Sequence, residues 1–145
     1  MGISTDADLY YGIQLEEGIE SLWADNEKEC DWEELYCAKL GVNPPEKGYS
    51  DTDPTTKDEY SKYWETKRNM VKNSLCKIGM HCSYDYPMYY ITITESCKHA
   101  RRGYPIKIPN GLVTYSTWDL ELQRFCKVMG IAYEQPSWWL SSMWG

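Results

Sequence analysis

Leu9, Tyr11, Ile13 and Leu15 recur at every second position, the period of a strand with one face buried, so a first strand is predicted over residues 8–15. Further on, Asp31 and Glu34 have capping-box spacing. Trp32, Leu35, Tyr36 and Leu40 follow at helical intervals and Gly41 ends them, which predicts a short amphipathic helix. Residues 41–55 then gather Pro44, Pro45, Gly48, Ser50, Asp51, Asp53 and Pro54 into a long surface loop, the segment expected to move most. Thr56 and Glu59 open a second capping box. Tyr60, Tyr63, Trp64, Lys67, Val71, Leu75 and Ile78 share a face from there to Gly79, predicting the longest helix.

Residues 88–94 alternate again and are rich in aromatic and β-branched side chains. Tyr89, Ile91 and Ile93 are expected to face the core, with Met88, Tyr90, Thr92 and Thr94 on the other face. A partner strand is expected over 104–108, joined through Arg101, Arg102 and Gly103. Ser116 is read as the cap of a third helix with Trp118, Leu122, Phe125, Cys126 and Met129 as its buried stripe and Gly130 as its stop. The tail, with Trp138, Trp139, Leu140, Met143 and Trp144, is too apolar for a frayed end and should dock as a short strand or extended segment. The order of elements implies an α+β fold, a single domain over 1–145. Its small, mainly antiparallel sheet of three to four strands is covered by about three helices on one side.

Composition narrows the function classes. At 145 residues, 42% hydrophobic and 26% charged, the chain has the profile of one globular domain. A formal net charge of -7 excludes a duplex nucleic-acid binder, which needs clustered cations to displace counterions. The charge is uneven: residues 16–34 carry Glu16, Glu17, Glu20, Asp25, Glu27, Glu29, Asp31, Glu33 and Glu34 against Lys28, whereas Lys98, Arg101, Arg102 and Lys107 make 96–109 basic. Six cysteines without an apolar leader or a glycosylation sequon point to reduced thiols and a cytoplasmic setting, and no apolar run reaches the ~20 residues of a membrane span. Thirteen Tyr and seven Trp stand against one Phe, an excess of rings that carry a polar handle.

The densest polar cluster is His81, Cys82, Ser83, Tyr84, Asp85 and Tyr86 before Pro87, on an expected loop between helix and strand, where binding residues concentrate. The plainer reading makes Asp85 a turn former and His81 a helix cap. Arg101 and Arg102 beside Tyr104 suit phosphate and a stacked ring, or form an ordinary hairpin tip. The candidate ligand-binding set is therefore His81, Ser83, Tyr84, Asp85, Tyr86, Tyr90, Arg101, Arg102 and Tyr104. If the strand from Met88 pairs with that from Tyr104, the loop and the arginines lie at opposite ends of the sheet, and a shared pocket needs a bend or a second subunit of a homo-oligomer. Cys76, His81, Cys82, Cys97 and His99 carry zinc-type donors at poor spacing, and a Cys/His nucleophile lacks a local signature. Phosphate-loop, dinucleotide, zincin and nucleophile-elbow motifs are missing, so no enzyme, metal or cofactor is implied.

The chain resembles a group of small accessory proteins of tailed bacteriophages. The likeness lies in Met1 to Ala7 running into Leu9-Tyr10-Tyr11-Gly12; in His81-Cys82-Ser83, Asp85 and Tyr86-Pro87-Met88-Tyr89; in Arg102-Gly103-Tyr104-Pro105; and in Pro136, Trp138-Trp139-Leu140, Ser142 and Trp144-Gly145. It implies a phage setting, in which such proteins act against bacterial immunity. Two functions are then expected. One is a non-enzymatic binder that sequesters a small phosphorylated, nucleotide-like signal. The other is an acidic inhibitor that docks on a host defence protein through residues 16–34.

Overall fold

The opening alternation forms β1, Thr5–Gln14, in the computed structural model, which describes residues 5–24, 31–109 and 111–144. The chain divides into two compact units, one of Met1–Glu20 with Leu75–Gly145 and the other Ser21–Ser74. The fold class is α+β, with three α-helices and a five-stranded mixed sheet among the described residues.

The smaller unit holds α1, Trp32–Lys39, and α2, Pro54–Asn73. The Asp31 carboxylate accepts from the Glu34 N–H at 2.6 Å, satisfying a free amide of the first turn of α1. Its other oxygen receives Lys67 of α2 at 3.1 Å. Asp53 caps α2 by accepting from the Thr55 N–H at 3.0 Å, and Pro54 fills the first turn, where no amide is required. The helix therefore begins before Thr56. It also ends earlier than its hydrophobic spacing predicts, at Asn73, and Leu75 follows at φ 59. Trp64 was expected in a buried face but is 43% exposed, its indole lying against Tyr49 and Tyr60 at 5.4 and 5.6 Å.

The larger unit is built on a ring of strands. Residues assigned to the end of a helix form β2, Cys76–Ser83, which pairs antiparallel with β3, Pro87–Ile93. The expected strand over 104–108 does not form; Pro105 lacks an amide to donate to a ladder. The chain instead leaves β3 through a short helical turn, Thr94–Ser96, and resumes as β4, Lys98–Ala100, so that β3 and β4 in succession flank one edge of β1. At the break, side chains replace the ladder. Ser96 Oγ accepts from the Tyr11 N–H at 3.0 Å, and the Thr92 hydroxyl donates to the Tyr11 carbonyl at 2.9 Å. On its other edge β1 pairs antiparallel over eight residues with β5, Ser137–Trp144, which realises the docked tail. The end of β5 pairs parallel with Cys82 and Ser83. β1, β3, β2 and β5 thus close on themselves.

Closure explains why both faces of β3 are buried. Alternation directs Tyr10, Gln14, His81, Tyr90 and Ser141 inward. Tyr10 and Tyr90 stack at 3.7 Å and 11°, and both are nearly inaccessible. Gly79, expected to stop a helix, lies under the Tyr90 ring: a Cβ there would sit 2.2 Å from Cζ of that ring. A Cβ on Gly12 would lie 1.9 Å from the Ile91 carbonyl oxygen.

The outward face, with Tyr11, Ile13, Cys76, Ile78, Ile91 and Ile93, is covered by α3, Ser116–Met129. Its five predicted stripe residues, Trp118, Leu122, Phe125, Cys126 and Met129, are all buried, each apolar side chain of this size stabilising by roughly 1.5–3 kcal/mol. Tyr115, not Ser116, occupies the N-cap, and Gly130 ends the helix at φ 75. Among the described residues no helix is long and apolar enough to cross a membrane.

Candidate functional site

The predicted site residues do not form one site. His81 lies on β2, half-buried, with Nε2 3.0 Å from Gln14 Oε1. The Gln14 amide nitrogen donates to the Tyr10 hydroxyl, which also accepts from Ser141 Oγ at 3.3 Å. Gln14 therefore turns its oxygen to His81, and the imidazole donates through Nε2–H. Burial holds the His81 pKa below its ordinary value, opposed by the Asp8 carboxylate. Tyr90 belongs to the ring stack just described and presents no open face to a ligand. Ser83 Oγ accepts from the Tyr86 N–H at 3.1 Å and organises the turn. Tyr84, Asp85 and Tyr86 are left at an exposed tip, the two tyrosines 75% and 78% accessible.

A cavity of about 340 Å³ does open at this hairpin, but Glu17, Glu20 and Asp85 line it together with Cys82, Tyr86 and Met88. Glu20 Oε2 is buried there without a hydrogen-bond partner among the described residues. A phosphate would meet three carboxylates. Arg101, Arg102 and Tyr104 occupy a separate tight turn, with Gly103 at φ 78 and the Tyr104 N–H donating to the Arg101 carbonyl at 2.9 Å. The Arg102 N–H donates to Asp6 Oδ1 at 3.3 Å. Since 104–108 is not a strand, the loop and the arginines are not at opposite ends of a hairpin. They flank the β1–β5 pair: Asp6 pairs with Met143, and Met143 with Cys82.

A second concavity lies on the outward face. Tyr11, paired with Trp138 across β1 and β5, donates its hydroxyl to Asp119 Oδ1 at 2.6 Å and so ties the first turn of α3 to the sheet. Burial, then the Asp119 hydrogen bond, pushes the Tyr11 pKa up to about 12, so the phenol keeps its proton. That tie brings Trp118 edge-on to Trp138 at 6.3 Å and to Tyr115 at 5.0 Å. The Trp118 Nε1–H donates to Glu95 Oε1 at 2.8 Å. These three rings, Glu95, Lys98 and the apolar Leu112 and Val113 line a groove of about 270 Å³. Lys98 makes no ion pair among the described residues.

No protein-family model, curated protein or solved structure matches this chain.

Other chemistry on the molecule is restrained. The described cysteines are free thiols, and burial pushes Cys76 to about 12 and Cys126 to about 11, far from a thiolate nucleophile at neutral pH. His99 is held between carboxylates, Nδ1 2.6 Å from Asp8 and Nε2 3.5 Å from Asp6. Among the described residues no three His, Cys, Asp or Glu side chains converge on a metal position.

Sequence reasoning placed Trp118 in a core stripe, docked the tail indoles as part of a short strand or extended segment, and read Lys98 only as part of a basic strip. Those readings hold residue by residue without revealing the groove. Glu95 had no sequence signal at all. Its role comes from the turn between β3 and β4, which sets it under Trp118.

Proposed function

We propose that this chain is a non-enzymatic binding protein that holds a small nucleotide-like molecule in the groove between β5 and the start of α3. One observation carries the reading: Tyr115, Trp118 and Trp138 line a groove of about 270 Å³ together with Lys98, which makes no ion pair among the described residues. Indole and phenol faces stack on any base, and a cation beside them meets a phosphate. A phage setting, as the resemblance implies, makes such a ligand a defence signal and its capture an anti-defence act. Docking on a host protein through the acidic run is less supported. Asp31 in that run is spent on capping α1 and pairing Lys67, and residues 25–30 fall outside the described residues.

The test is thermal unfolding and tryptophan fluorescence against a panel of linear and cyclic nucleotides. Saturable quenching is expected, with stabilisation of about 2.7 kcal/mol at ligand a hundredfold above Kd. The ligand should be recovered chemically unchanged; conversion would make the protein an enzyme. No shift with any nucleotide at millimolar concentration removes the proposal, and a stoichiometric protein captured from host lysate at low salt would favour the inhibitor.

A further inference from the structure

We propose that the groove selects guanine among the bases, an inference that rests on the nucleotide-binding reading above. The argument comes from the hydrogen-bonding character of the lining. Its polar side chains are those of Glu95, Ser96, Lys98 and Tyr115, with the indoles of Trp118 and Trp138. Ser96 is fully used: its hydroxyl donates to the Ile93 carbonyl at 2.7 Å and accepts from the Tyr11 N–H at 3.0 Å. The Trp118 N–H is spent on Glu95. Among the described residues the only carboxylate in the lining is that of Glu95. It is held by one oxygen, at 2.8 Å from Trp118 Nε1, while its second oxygen has no partner among the described residues. The groove therefore offers a fixed acceptor beside aromatic faces, with a cation nearby.

A base docked there is read along its pairing edge. Guanine presents two adjacent donors, N1–H and the exocyclic N2 amine, which together match a carboxylate. Adenine and cytosine each place a ring-nitrogen acceptor next to their amine, and uracil flanks its single N–H with two carbonyls. Each of these sets a lone pair against the carboxylate, and an acceptor facing an acceptor forfeits the bond. A site built around a hydrogen bond rejects the analogue that cannot make it far more strongly than an apolar slot rejects a change of shape. Lys98 then serves every nucleotide alike through its phosphate.

The test compares guanosine, inosine, adenosine and cytidine monophosphates by fluorescence titration on the full chain. Wild type is expected to prefer guanosine monophosphate over adenosine and cytidine monophosphates by at least about tenfold. Inosine monophosphate, which lacks the N2 amine, should fall between them. In Glu95→Gln the side-chain carbonyl can still accept from Trp118, and the preference for guanine should collapse to within about threefold. Lys98→Ala should weaken all four by a similar factor and leave their ratios unchanged. Far-UV circular dichroism and the unfolding midpoint check that each variant is folded. Equal affinity of the wild type for all four overturns guanine selection while leaving nucleotide binding intact. Failure of all four to bind overturns both. A guanine preference retained in Glu95→Gln removes Glu95 as its source and overturns the inference.

Discussion

The two faces of the strand ring carry similar numbers of aromatic side chains and use them in opposite ways. Inside, Tyr10 and Tyr90 lie flat on one another over Gly79, and the Tyr10 hydroxyl is engaged by Gln14 and Ser141. Outside, Trp118, Trp138 and Tyr115 meet edge to face, and Tyr115 remains 57% exposed. Flat stacking covers a face of each inner ring; of the outer three, Trp118 is buried and Tyr115 keeps most of its ring accessible. Counting tyrosines and tryptophans therefore says that the protein has amphipathic rings to spare. The satisfaction of each ring's faces and its polar atom says which of them are spare.

The strongest way to break this comparison is to add one carbon to the inner face. In Gly12→Ala the new Cβ meets the Ile91 carbonyl oxygen 1.9 Å away, so β1 and β3 must part where the ring closes. Overpacking against backbone of this kind should cost about 3 kcal/mol, read as a lowered denaturation midpoint. Gly79→Ala should cost less, because the atom in the way belongs to the Tyr90 ring, which can tilt. A midpoint unchanged in Gly12→Ala would mean that the ring does not close as described.

A smaller effect separates the outer groove from the hairpin that first drew attention. Trp138→Ala removes a wall of the groove and should weaken nucleotide binding by about 1–3 kcal/mol, the usual worth of a stacked base. Tyr84→Ala and Tyr86→Ala alter side chains at the exposed tip and should leave affinity untouched and stability within about 0.5 kcal/mol. The reverse pattern in titrations, with Tyr84 or Tyr86 needed and Trp138 dispensable, would move the site to the hairpin.

What the sequence showed follows the range of the interactions. The stripe of α3 and the alternations of β1 and β3 are local patterns, and each became the element it predicts. β2 was misread because Val71, Leu75 and Ile78 continue the helical spacing of α2 and Gly79 looks like a helix stop. Pairing with β3 decides otherwise, burying Cys76 and Ile78. The strand expected over 104–108 gave way to β4, whose three residues are too few to read from alternation and are specified by β1. Ring closure joins Cys82 to Met143 and Gly12 to Thr92, contacts between residues far apart in sequence that no window can see. The groove depends on that closure, which is why only its individual aromatic residues were legible.

The smallest expected effect sharpens the inner face. His81 donates to Gln14 in its neutral form, and burial holds its pKa below the ordinary imidazole value despite Asp8. In the unfolded chain the same imidazole takes up a proton near 6.5. Between the folded pKa and 6.5 the unfolded state thus binds more protons, so this residue's contribution rises with pH across that window. It is fully present above the window and is lost as the pH falls through it. His81→Gln removes the titration and keeps a side-chain amide that can donate to Gln14. The difference in unfolding free energy between wild type and this variant should therefore shrink on acidification from neutral pH and then level off. A difference that stays flat, or grows in acid, would show that the imidazole is charged in the fold and that the inner chain runs on an ion pair with Asp8 instead.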